Sequence, residues 1–169
     1  MAAVPSQRTS YWNAAMLGAV AGLRTMLPWA LLATAANRPG APFLQRSPSP
    51  ARFLRSPVAL IGFSLAAVGE LVADQLPSTP SRLAPGALAG RLISGALASA
   101  VVCLNARRSP LTGMVIGTAA AGAGAVAGYS IRMTLGRVTG VPDHVWGAVE
   151  DIFALGLGAL VLRTRLRNQ

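Results

Sequence analysis

Residues 111–135 read LTGMVIGTAAAGAGAVAGYSIRMTL, with Arg132 the only charge. Nothing in this run alternates apolar and polar side chains with a period of two, so it does not read as a strand of a membrane barrel. It is long enough to cross a ~30 Å hydrocarbon core as a helix, for which about 20 residues suffice. Further apolar segments flank it at Trp12–Ala36, Val58–Leu76, Pro85–Leu104 and Val145–Leu162. The expected fold class is all-α, a polytopic transmembrane bundle of about five spans. One membrane domain, 12–162, would lie between a tail at 1–11 and a basic tail at 163–169.

Composition agrees. The 169 residues are 53% hydrophobic and only 12% charged, about half the charge a soluble domain uses to meet water. The formal net charge is +10 and the basic residues are all Arg. Such a balance suits nucleic acid, but these Arg lie mostly between apolar runs and at the C-terminus, where membrane proteins place them. Nucleic acid is therefore not an expected partner. Cys103 is the one cysteine and His144 the one histidine, which excludes an internal disulfide and a Cys–His zinc site. There is no nucleophile triad, serine elbow or phosphate loop, so no enzyme, metal or cofactor is expected. The first apolar run carries Arg24 and Pro28 in its middle and is read as a retained span rather than a cleaved leader.

Ser56-Pro57 and Ser109-Pro110 place a capping hydroxyl before a first-turn proline, the opening of a helix; Pro142-Asp143 does similar work. Residues 37–57 hold too many prolines for a long helix. Their Arg38, Arg46, Arg52 and Arg55, with Phe43 and Phe53, suit a loop at a surface of anionic lipid headgroups. With five spans, those four join Arg107, Arg108, Arg163, Arg165 and Arg167 on one side, against Arg8, Arg82 and Arg137. The positive-inside rule then puts the C-terminus in the cytoplasm and the N-terminus outside. A re-entrant hairpin at Arg24 would undo that assignment for the N-terminus.

Glycines recur four apart at Gly18/Gly22, Gly86/Gly90, Gly113/Gly117 and Gly124/Gly128, a spacing that lets helices approach closely in lipid. The fourth span, densest in them, is expected at the centre of the bundle, and Gly-rich faces are expected to join copies into a homo-oligomer. Gly18–Gly22 and Gly124–Gly128 are both Gly-Ala-Val-Ala-Gly, each followed by an Arg, a Pro and a span with two carboxylates. In a five-span chain an odd number of crossings separates them, which predicts inverted repeats of the kind found in transporters.

Charges inside the apolar runs are the candidate site: Arg24, Glu70, Asp74, Arg91, Arg132, Glu150 and Asp151. Each costs at least ~2.5–3.5 kcal/mol to insert. Arg24 and Arg132 are placed to fix an anionic group, Glu70 and Glu150 to bind a cation or carry protons; the competing reading is an ion-pair network that only sets helix register.

Gly22-Leu-Arg24 with Pro28, Glu70-Leu-Val-Ala-Asp74-Gln-Leu-Pro77, Arg91 before small residues, and Glu150-Asp151 resemble a family of small bacterial membrane proteins, domain of unknown function four-one-two-six. The likeness runs from about Asn13 to Leu162, and Glu-x-x-x-Asp-x-x-Pro is its most specific element. The resemblance implies a bacterial integral membrane protein built around these charges and supplies no substrate. Two functions follow as expectations: a small inner-membrane transporter or channel, or a non-transporting scaffold or anionic-lipid binder with a structural charge cluster.

Overall fold

Pro28, Pro57, Pro85 and Pro110 each stand in the first turn of a helix, where the missing N–H has no intrahelical acceptor to lose. The Ser56 and Ser109 hydroxyls accept from Ala59 N and Thr112 N at 3.1 and 3.4 Å, as the Ser-Pro pairs predict. The computed structural model describes residues 7–39, 43–44, 49–74, 83–141 and 143–166. Pro142, Arg46, Arg82 and Arg167, and the side chains of Asp143, His144, Arg163 and Arg165, lie outside what is described. Every regular element among the described residues is helical: α1 Gln7–Leu23, α2 Leu27–Ala36, α3 Ser49–Arg52 with a 3-10 turn at Phe53–Arg55, α4 Pro57–Ala73, α5 Pro85–Asn105, α6 Pro110–Thr139 and α7 Asp143–Leu166.

The first apolar segment is not one helix. Along α1, the Ala14 carbonyl accepts from Ser99 Oγ at 2.7 Å and the Leu23 carbonyl from Arg91 at 2.6 Å, so α1 and α5 run antiparallel. Had α2 continued upward it would have passed Arg91 toward Pro85. Instead Trp29 donates back to Ser94, and Leu32, Ala33 and Ala36 share a core with Ala14, Leu17, Ala98 and Val102. The chain therefore reverses at Arg24–Met26, and α1–α2 is a hairpin. At 10 residues, α2 is about 15 Å long, too short to cross a bilayer alone.

This reversal changes the parity of everything after it. α4 rises beside α2, α5 descends, α6 rises and α7 descends. Val161, late in α7, joins the core formed by Ala36, Phe43, Leu44 and Leu54, so the start of α1 and the end of α7 lie at the same end of the bundle. The opposite placement of the termini, which rested on an unbroken first span, does not survive. Nor does the inversion of the repeat. A Cβ on Gly124 would press on Ala19, and one on Gly128 on Leu23, so the two Gly-Ala-Val-Ala-Gly segments pack face to face and run the same way.

Close helix approach is made where glycine permits. α6 buries Gly113, Gly117, Ala121, Ala125 and Gly128, all small, and lies against α1 and α5. The most enclosed helix is nevertheless α1, with Ala14, Leu17, Val20 and Ala21 at its core, and not the glycine-dense α6 expected at the centre. Gly86 and Gly90, expected to pack, meet nothing within 4 Å; α5 uses Gly95 and Ser99 instead, both against Gly117. The large apolar side chains point outward: Val58, Ile61, Leu65, Val68 and Val72 on α4, and Ile152, Phe153 and Leu160 on α7, are all exposed. Of the helices, α5 and α6, at 21 and 30 residues, are long and apolar enough to cross a membrane, while α2 and α4 are apolar but shorter.

Two described residues after α2 lie further inside than the composition around them suggests. Phe43 and Leu44 are buried; Leu44 N donates to Asn105 Oδ1 at 2.8 Å, Arg55 donates to the Phe43 carbonyl at 2.9 Å, and Asn37 Nδ2 to the Leu54 carbonyl at 2.9 Å. Phe43 is thus a core residue, whereas Phe53 is exposed.

A Cβ on Gly18 would lie 2.6 Å from the Gly117 carbonyl oxygen, whereas one on Gly62 meets open space. Gly18→Ala should destabilise the protein by about 1–3 kcal/mol by forcing α1 off α6. Gly62→Ala should be neutral or stabilise by up to ~1 kcal/mol through helix propensity. Unfolding of both variants in mild detergent checks the packing.

Candidate functional site

Where α1 stops and α2 starts, helix-end carbonyls and N–H groups lose their intrahelical partners, and where they are buried such groups are supplied by side chains from other helices. Arg91, 4% exposed on α5, donates from one nitrogen to the Gly22 and Leu23 carbonyls at 2.8 and 2.6 Å. Glu70 on α4 accepts from Thr25 N and Met26 N at 2.7 and 2.8 Å, one oxygen for each. A cation thus meets the negative end of α1 and a carboxylate the positive end of α2, the favourable pairing at both. Ser94, one turn past Arg91, donates to the Thr25 carbonyl at 2.6 Å and accepts from Trp29 Nε1 at 2.9 Å. Trp29 in turn stacks on Phe63 of α4, ring centroids 5.6 Å apart.

Arg24 occupies the reversal itself, 1% exposed. Its Nε donates to Asp151 Oδ1 at 2.6 Å and its Nη1 to Asp74 Oδ2. The guanidinium therefore ties α4 to α7 across the turn, and both carboxylates are largely buried.

Five predicted residues meet at this point: Arg24, Asp74 and Asp151 directly, Glu70 and Arg91 through the backbone they hold. Glu150 and Arg132 belong to the α6–α7 side of the same end. Glu150 Oε1 lies 3.0 Å from where a Cβ on Gly128 would stand, so the glycine gives the carboxylate room against the α6 backbone. Arg132 is one turn beyond Gly128 and half-buried. No group of three or more metal-ligand side chains occurs among the described residues.

Two participants were missed from sequence. Ser94 has a legible signal, since Arg91, Ser94 and Gly95 share one face of an otherwise apolar helix. Trp29 does not: nothing in the sequence around it separates an indole that turns inward from one that stays exposed, as Trp12 does.

The class defined here is an all-helical bundle whose first helical hairpin turns on a buried charged knot. The chain belongs to the family described as Domain of unknown function (DUF4126), whose model matches residues 13–164, a range that contains the whole knot. No curated protein and no solved structure matches the chain.

Removing Arg24 would leave Asp74 and Asp151 buried without their shared cation. Breaking such a network from one side costs about 3–5 kcal/mol, and Arg24→Ala should lose that much in detergent unfolding. Glu70→Gln, which keeps one acceptor for the turn, should lose less than Glu70→Ala, which removes a cap worth ~1–2 kcal/mol.

Proposed function

We propose that this protein is a small integral membrane transporter or channel of a bacterial inner membrane, with the charged knot as its ion- or solute-handling site. In this reading α4, α5, α6 and α7 cross the bilayer, and α1–α2 enters and leaves from one side. The observation that carries it is the broken first helix, its two ends turned toward Glu70 and Arg91 inside an apolar bundle. Discontinuous helices whose ends meet charges near the midplane are how many transporters build their sites. The outward-facing large apolar side chains support a lipid environment, since water-soluble monomers rarely expose so much contiguous apolar surface. The Arg-rich end then faces the cytoplasm with both termini. One chain this small leaves little wall around a pathway, and a homo-oligomer would supply the rest.

Arg24, Glu70 and Arg91 all have partners within the protein, and that favours a second reading, in which the knot is purely structural and the protein serves as a membrane scaffold. Flux separates the two. Reconstituted in vesicles with pH- and ion-sensitive dyes inside, the wild type should pass protons or a small ion. Asp74→Asn, which keeps Arg24 paired to Asp151, should change that flux tenfold or more while the protein stays folded. Flux indifferent to both Asp74→Asn and Asp151→Asn, or none for protons, alkali cations, halides and small metabolites, would leave only the structural reading.

A further inference from the structure

All five carboxylates of the chain, Glu70, Asp74, Asp143, Glu150 and Asp151, fall at the turn end of the bundle, where Arg24 lies, or beyond it at the start of α7. The other end, where Phe43 and Leu44 seal against Asn105, carries Arg8, Arg38, Arg52, Arg55, Arg107 and Arg108 by position in the fold. Measured along α4, Glu70 is 15 residues from Arg55, about 20 Å at ~1.5 Å per residue and well beyond a ~8 Å Debye length. No Asp or Glu of the chain falls at this end by position in the fold. Arg55 spends one nitrogen on the Phe43 carbonyl, and Arg108 Nε is shielded from solvent with no hydrogen-bond acceptor among the described residues. The elements that carry Arg8 and Arg52 also carry two open aromatic side chains, Trp12 at 66% and Phe53 at 55% exposure.

We infer that this end is a binding surface for the phosphates of anionic phospholipids. Guanidinium forks match phosphate oxygens bidentately, and each basic group close to an anionic leaflet adds to the attraction. The aromatic side chains favour lipid over nucleic acid: Trp12 and Phe53 stand where a bundle rim meets acyl chains, the position amphipathic rings prefer. The inference rests on the membrane reading above and is independent of whether the knot moves solute.

The test uses the full-length protein in mild detergent, titrated with phosphatidylglycerol or phosphatidylcholine and read by native mass spectrometry and melting temperature. Phosphatidylglycerol should bind and raise the melting temperature; phosphatidylcholine should not. Arg8, Arg52 and Arg107 have exposed side chains, and changing all three to Gln should weaken phosphatidylglycerol binding by roughly fivefold per residue. Arg137→Gln, exposed at the far end of α6, should leave it unchanged. Equal response to both lipids, an unaffected triple variant, or preferential binding of single-stranded RNA at physiological salt overturns the inference. A protein that stays monodisperse without any detergent removes the membrane reading itself, and this inference with it.

Discussion

A chain that reverses inside an apolar bundle strands backbone N–H and C=O groups away from water, and each one left unmet is expensive. The architecture depends on how that debt is met at Arg24–Met26. Glu70 takes the N–H groups that open α2, Arg91 the carbonyls that close α1, and Ser94 the carbonyl between. The three come from α4 and α5, so the turn is satisfied only within the assembled bundle. An isolated 10-residue α2 would be marginal by itself; its direction is set by partners far along the chain.

Two kinds of adhesion divide the bundle. Between α1, α5 and α6 the contacts are backbone on backbone, made possible by Gly18, Gly22, Gly95, Gly117 and Gly124. The outer helices are tied differently. α4 buries only Ala59 and Ala67, and its firm connections are the Glu70 cap, the Asp74–Arg24 pair and the Trp29–Phe63 stack. Buried ion pairs contribute little net stability against apolar replacements of the same shape, yet breaking one is costly. Such pairs fix which arrangement forms more than how stable it is. That suits a helix whose position must be unambiguous although little packing holds it.

What could be read in advance follows from the range of the forces. Capping serines, first-turn prolines and apolar run lengths act locally, and the observed α4, α5, α6 and α7 begin within about two residues of where these signals put them. The charged residues were also legible, because insertion costs single out any ion in an apolar run. The hairpin was not. A 25-residue apolar stretch has the same composition whether it crosses or turns back, and the deciding partners, Glu70 and Arg91, lie 46 and 67 positions beyond Arg24. The re-entrant hairpin at Arg24 is an alternative the sequence raises but does not decide, and the parity of every later helix, the sense of the repeat and the placing of the N-terminus all hang on it. Gly86/Gly90 failed for a related reason. Spacing identifies a face that can pack closely, and only the crossing point of α5 with α1 and α6 decides that Gly95 is the glycine used.

Charge is divided unevenly between the two ends of the bundle. At the turn end Arg24, Arg91 and Arg132 stand among Glu70, Asp74, Glu150 and Asp151, so positive and negative charges are close to balance and can be held in a medium of low dielectric. At the loop end the charged side chains are arginines by position in the fold, with no Asp or Glu beside them in sequence. On the membrane reading, a protein segregated in this way has one favourable placement: the balanced end within the apolar layer and the unbalanced end at the headgroups. The same reversal that gathers the acids around Arg24 returns the chain, and with it Arg38, Arg52 and Arg55, to the end of the bundle where α1 begins. One turn in the chain therefore sets both the polar knot and the charge asymmetry that would orient the bundle.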